Sequence, residues 1–323
     1  MRRTRYIVNL IQDVRFALRL LRQRPLFAVM AITPLALGIG AATTMYSVAD
    51  SVLIRPLPFP DPGRLLAIWA TEAGYRNSAV SMSWQSVVIG QADYDALRDR
   101  ARTLSQVAAW ASAGVTLSSG GHFEPLPAVR VTATLFPLLG IHPVLGRAFH
   151  SDETVLNGPR IVLISWETWQ THFGADHGIV GKSVVLGDST HYTIVGVMPP
   201  QVRLDRTAPP PAFWLPAFTD SSDRVSQHNR SYRGLARLAT GATAAQANAE
   251  VARIFTDVKT EWKGTAGGTS GRAALWQSDQ TAAARPSVLI LSGAVFLLLL
   301  IACLNVATLM LGEAMRRQPE IFA

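Results

Sequence analysis

The run Pro286-Ser287-Val288-Leu289-Ile290-Leu291-Ser292-Gly293-Ala294-Val295-Phe296-Leu297-Leu298-Leu299-Leu300-Ile301-Ala302-Cys303-Leu304-Asn305-Val306-Ala307-Thr308-Leu309-Met310-Leu311-Gly312 decides how this chain is organised. It carries no charge, and its centre, Val295 to Ile301, is wholly apolar around four consecutive leucines. At 1.5 Å per residue a helix of that length exceeds the roughly 30 Å hydrocarbon core of a bilayer. A second uncharged run holds 25 residues between Arg24 and Asp50, about 37 Å as a helix. Two buried helices of a soluble protein are the alternative, but buried helices of this length without a charge are uncommon. The two runs are therefore read as membrane spans, 25–49 and 286–312, with a long segment, 50–285, between them.

A cleaved signal peptide competes for the first run, and Ala41, Ala42 and Thr43 supply the small residues it needs. However, the 24 residues before the apolar core are long for the charged region of such a peptide. An uncleaved anchor is the preferred reading, and the second run holds the chain in the membrane in either case.

Charge sets the orientation. Residues 1–24 carry seven arginines against one acid, Asp13, whereas 50–285 carry 21 Lys/Arg against 19 Asp/Glu. The net charge of +8 is thus an N-terminal feature. A basic block beside an apolar run points to membrane topology; nucleic acid would call for basicity spread over a folded domain. Arg316 and Arg317 follow the second span. Both termini, including the tail 313–323, are expected in the cytoplasm. The middle segment is expected outside it, since long domains translocate regardless of charge. Ile7, Leu10, Ile11, Val14, Leu18 and Leu21 recur at helical spacing, with Arg15, Arg19 and Arg22 between them. Residues 1–24 therefore read as an amphipathic helix in the cytoplasmic interface, its arginines near lipid phosphates. A plain solvated basic segment is the alternative.

Inside the spans, Pro34 removes one backbone hydrogen bond and predicts a kink near Met30. Ala36, Gly38 and Gly40 make a smooth face for close helix approach. Asn305 either faces another helix or bonds its own backbone near the interface; both readings stay open. Cys303 is the sole cysteine, so no intrachain disulfide forms and the outer segment must be held by its core.

The outer segment reads as α+β in two lobes. Leu65 to Trp69, Ile161 to Ile164, Tyr232 to Leu238 and Ala273–Trp276 are strand runs. Ser183–Leu186 and Thr190–Val197 flank Gly187-Asp188 as a hairpin. Tyr94, Leu97, Ala101, Leu104, Val107 and Ala108 recur at helical spacing. Thr243 and Gln246 form a capping box, predicting a helix to about Trp262. Gly264 to Gly271 reads as a glycine-rich turn.

Catalytic chemistry is not encoded in any recognisable pattern. His122, His142, His150, His172, His177, His191 and His228 form no paired metal-ligand spacing. There is no phosphate-cradling loop ending in Lys-Ser/Thr and no G-x-S-x-G elbow. Asp93, Asp95 and Asp99 read as a solvated helix face or a weak cation site. No catalytic, cofactor-binding or metal residues are assigned.

Longer stretches carry a resemblance. Asp13 to Leu21, Pro25-Leu26-Phe27 and Leu35 to Ala41 resemble the start of MacB/FtsX-type ABC transporter permeases, most of all their duplicated orphan branch. Leu53-Ile54-Arg55-Pro56-Leu57-Pro58, Leu138-Leu139-Gly140-Ile141 and Leu145-Gly146-Arg147 are similar to that branch as well. So are Ile179-Val180-Gly181-Lys182, Val195 to Pro200, and Leu300 to Ala307. The resemblance implies a MacB-like periplasmic core domain between the first two spans of an inner-membrane permease. It also implies partners: lipid, further permease helices, a separate cytoplasmic ATPase subunit that uses the ATP, and an oligomer, with no nucleic acid. Such permeases carry four spans per unit, so the tail reads as truncated, and Pro319 departs from the family's Arg-rich segment. The expected function is an ABC-type permease component for export or mechanotransmission. The alternative is a two-span receptor or envelope scaffold with an extracytoplasmic ligand-binding domain; the short tail argues against a receptor's output module.

Overall fold

The computed structural model describes residues 25–72, 88–119, 122–187, 190–200, 202–204, 209–217, 232–261, 269–282 and 284–317. They divide into two compact units, one of residues 57–280 and one formed by the helices on either side of it in sequence.

In the helical unit, α1 spans Pro25–Ala49 with Pro34 inside it, and a π-helical turn, Asp50–Ile54, prolongs it. Arg55 ends the turn in an extended conformation, its N–H donating to Asp50 O at 2.8 Å. Pro56 enforces that ending, because a residue before proline is driven out of the helical region. The closing helix of the chain runs Arg285–Arg317. The segments Ala28–Ala49 and Arg285–Leu309 are long and apolar enough to cross a membrane.

The 57–280 unit is α+β. Its elements are β1 Leu65–Glu72, α2 Gln91–Arg100, β2 Leu104–Ser119, β3 His122–Val131, α3 Leu135–Leu139, β4 Leu145–Gly146, β5 Ile161–Ile164, α4 Trp166–Phe173, β6 Ser183–Leu186, β7 Thr190–Val197, β8 Phe213–Pro216, β9 Arg233–Leu238, α5 Ala244–Glu261, β10 Thr269–Leu275 and α6 Trp276–Ala282. The helix of Arg285–Arg317 is α7. The described strands join in one sheet of order β10-β1-β9-β2-β3-β8-β5-β7-β4, with β6 pairing β2 and β7.

Two helix-covered ends of that sheet account for the two-lobed reading. At one end α2 and α5 cover β1, β9 and β2, burying Leu97, Val251 and Phe255 against Leu66, Ile68 and Ala236. At the other, α4 packs Trp169 against Val162, Ile164 and Phe213. β5 lies between β8 and β7, and all four of its residues are buried, as an unbroken apolar run demands of a strand covered on both faces.

The hairpin forms with the expected bounds, β6 pairing β7 antiparallel. The capping box also forms: Gln246 N–H donates to Thr243 Oγ1 (3.3 Å) and Thr243 N–H to Gln246 Oε1 (2.9 Å). Three readings are corrected. The helical spacing that starts at Tyr94 stops at Arg100, and Leu104, Val107 and Ala108 belong to a strand. Glu250 on α5 brings about the switch by accepting from Arg102 N, Thr103 N and Thr103 Oγ1. Those peptide groups are thereby satisfied outside a helix. Asp93 is not part of a solvated face. It is buried and caps α2 by accepting from Gly90 N at 3.0 Å. Residues 264–268 of the glycine-rich turn lie outside the described residues, while Thr269 to Gly271 are in β10.

Candidate functional site

Two places gather side chains with work beyond holding the sheet together. The first is the contact between α1 and α7. Gly38 is buried in it, and a methyl group there would lie 3.0 Å from Leu299 Cδ1 and 3.8 Å from Ala302 Cβ. A Cβ at Gly40 would meet nothing within 4 Å beyond its own helix, and Asn305 is exposed on α7. The structure thus brings Gly38 against the second helix and leaves Gly40 and Asn305 on faces that no described residue covers. Asn305 O accepts from Thr308 Oγ1 at 2.9 Å. Arg15, Arg19 and Arg22 lie outside the described residues.

The second place is on the face of the β10-β1-β9-β2 sheet away from α2 and α5. Side chains alternate between faces along a strand, so Ala67 and Trp69 on β1, Arg233 and Leu235 on β9, and Trp110 on β2 point the same way. Trp69 stands opposite Arg272 of β10, and Trp110 opposite Arg233 of β9. Ile68 pairs with Gly234, which sets Arg233 beside Trp69 as well. An Arg-Trp-Arg-Trp row therefore crosses four strands. The Arg233 guanidinium lies 4.8 Å from the Trp110 ring centre, within cation–π range. Helix α6 closes one side with Trp276 and Asp279. Asp279 Oδ1 accepts from Trp69 Nε1 and from Arg272 Nη2, both at 3.0 Å. Burial pushes the Asp279 carboxyl above its ordinary range, partly offset by the Trp69 hydrogen bond and Arg272. Trp69, Trp110, Arg233, Trp276 and Asp279 line a cavity of about 260 Å³.

Beyond this row, the motif residues Leu145-Gly146-Arg147 are tied to the chain that follows them. Arg147 holds Glu153 through two contacts, Nη2 to Oε1 at 2.6 Å and Nη1 to Oε2 at 2.8 Å. That pairing holds the Glu153 carboxyl below the usual carboxylate range despite its burial. Gly181-Lys182 sits where the Lys182 ammonium pairs with Asp176. His172 faces Glu124 at 3.2 Å, and no cluster of three His, Cys, Asp or Glu suited to a metal occurs among the described residues.

The sequence profile of the MacB-like periplasmic core domain matches residues 28–254. The chain belongs to that family. As a MacB-like periplasmic core domain protein it is a transporter-permease component, an α+β domain with an apolar helix on each side in sequence. No curated protein matches the chain. Among solved structures it is similar to a domain of a permease protein from Porphyromonas gingivalis (12% identity, TM-score 0.50, covering 68% of this chain and 92% of that one). The periplasmic region of MacB from Actinobacillus actinomycetemcomitans is also similar (12%, TM-score 0.47, 70% and 92%). So is the extracellular domain of the noncanonic ABC-type transporter YknZ from Gram-positive bacteria (14%, TM-score 0.45, 65% and 99%). At 12% identity the likeness to the Porphyromonas gingivalis domain shows the fold alone.

The tryptophan–arginine row escaped the sequence reading. Its signal is present but dispersed: Trp69, Trp110 and Arg233 sit at period-two positions of three strands far apart in the chain. Only strand order and register bring them together.

Proposed function

We propose that this chain is the membrane permease component of an ABC-type export or mechanotransmission system, relaying motion between the membrane and its periplasmic domain. The observation that carries the reading is the family match across residues 28–254, which takes in the first apolar helix and most of the outer domain. In this reading α1 and α7 cross the inner membrane, both termini are cytoplasmic, and a separate ATPase subunit supplies the energy. Further permease helices cover the exposed faces around Gly40 and Asn305. The arginines of the first 24 residues support the orientation through the positive-inside rule.

Two measurements test it. In a Cys303→Ala background, a cysteine at Val180, which is 42% exposed, is labelled in intact cells by an impermeant thiol reagent, while one at Gln12 is not. The reverse pattern overturns the orientation. For the relay, spin labels at Val180 and Arg253 report the spacing of the two sheet ends in liposomes containing the chain and its ATPase subunit. A spacing that shifts between nucleotide-free and ATP-bound states is expected, and an invariant one overturns the relay.

A further inference from the structure

We propose that Phe59 and Trp276 form a clasp between the two connections that link the 57–280 unit to its flanking helices. A displacement arriving along one connection is then shared by the other. The use of such a clasp rests on the relay reading, while its existence does not.

The unit begins at Leu57 and ends at Gln280, and these two ends of its sequence meet in space. The Phe59 ring lies on the Trp276 ring with centroids 5.3 Å apart and planes 15° from parallel. Stacked aromatic rings attract each other beyond the area they bury.

Each end is also moored by itself. Arg237 Nη2 on β9 donates to Pro60 O at 3.0 Å and to Leu138 O at 2.7 Å, and Arg64 Nη2 donates to Leu238 O at 2.6 Å. The first connection is thereby tied to β9 and α3. Gly140, just after α3 at φ +66, permits the close approach, because a Cβ there would lie 2.8 Å from Pro60 Cγ. At the other end, Asp279 of α6 accepts from Trp69 of β1 and Arg272 of β10, and Gln280 Nε2 donates to Leu204 O at 3.3 Å. Strand β1 lies between β10 and β9. The moorings therefore fall on three neighbouring strands, and the ring stack bridges them.

The first connection is built to carry displacement. Pro56, Pro58 and Pro60 alternate with Leu57 and Phe59. Each proline fixes its own φ and keeps the residue before it out of the helical region. Few torsions are left to absorb a movement. Trp276 is 5% exposed, whereas Phe59 is half-buried and packs on the rim of the same apolar cluster. Removing the Phe59 ring thus opens the clasp and leaves the centre of that cluster in place.

The test is native-state hydrogen exchange on the full chain in detergent micelles, without an ATPase subunit, read by mass spectrometry. Phe59→Ala is expected to speed exchange about fivefold in peptides covering 57–65 and by a similar factor in those covering 276–282, with α5 unchanged. Phe59→Tyr keeps the ring and should leave both at the native rate. Faster exchange in 57–65 with 276–282 unchanged overturns the clasp. An equal rise in α5 overturns it too, since that reports a general loosening of the unit. Should Phe59→Ala fail to fold, Phe59→Leu keeps an apolar side chain without the ring, and the same rates decide. No nucleotide enters this measurement, so a spacing of the sheet ends that ignores ATP would overturn the relay and leave the clasp standing.

Discussion

Gly146 shows how a motif residue acts through geometry. It lies at φ +73, and a Cβ there would come within 2.2 Å of Val195 O. Its register partner on β7 is another glycine, Gly196, whose own Cβ would meet Leu145 O at 2.7 Å. The two backbones touch where any other residue would hold them apart. Gly146→Ala combines left-handed strain with a steric overlap against backbone that cannot yield, so a loss of about 3 kcal/mol is expected. Urea denaturation of the domain measures it. Gly38 poses a softer case, because its nearest neighbour is the mobile end of Leu299. Gly38→Leu should lengthen the distance between spin labels at Tyr46 and Ile290, measured by dipolar spectroscopy. Gly40→Leu should leave that distance unchanged, since a Cβ there would meet nothing within 4 Å beyond its own helix. Equal effects from the two would remove the distinction between these glycines.

At the level of elements, the junction between α2 and β2 depends on a carboxylate from a third element. Burial opposes ionisation of Glu250, yet the hydrogen bonds from Thr103 Oγ1, Arg102 N and Thr103 N outweigh it and hold the carboxyl below its usual range. An acid whose folded-state pKa is depressed stabilises fully above its unfolded pKa, and that contribution is lost as pH falls through the folded value. Glu250→Gln should therefore cost about 2 kcal/mol at pH 7. It should also flatten the fall in urea midpoint between pH 6 and pH 3, and an unchanged slope would assign the acid sensitivity elsewhere. The same junction explains what sequence could and could not show. The β6–β7 hairpin and the start of α5 are set by neighbours within a few residues, Gly187 and the Thr243–Gln246 pair, so local reading finds them. Leu104 to Ala108 keep an apolar spacing compatible with a helix. They extend because Glu250, almost 150 positions away, satisfies the peptide groups at the switch. Asp93 looked solvated because its capping role depends on Gly90 beginning the helix. Gly38 was legible as a small residue in an apolar run. The tryptophan–arginine row was not, since it exists only across strands.

Taken as a whole molecule, the chain separates the unit of residues 57–280 from its flanking helices. That unit contains the three buried apolar clusters found among the described residues. Expressed alone, it should unfold in one transition seen identically by circular dichroism and tryptophan fluorescence, as a two-state domain does. Separate transitions for the two signals would mean that the sheet ends are independent.

Strand β2 gives that sheet a mechanical character. Its 16 residues extend about 54 Å, and it is hydrogen-bonded to β9 at its beginning and to β3 from Trp110 onward. Its ladder bonds lie across the strand axis. A pull along β2 therefore loads many of them simultaneously in shear and cannot unzip them one at a time. Tension entering at one end of the sheet would emerge at the other with little stretch, so β2 behaves as a tendon.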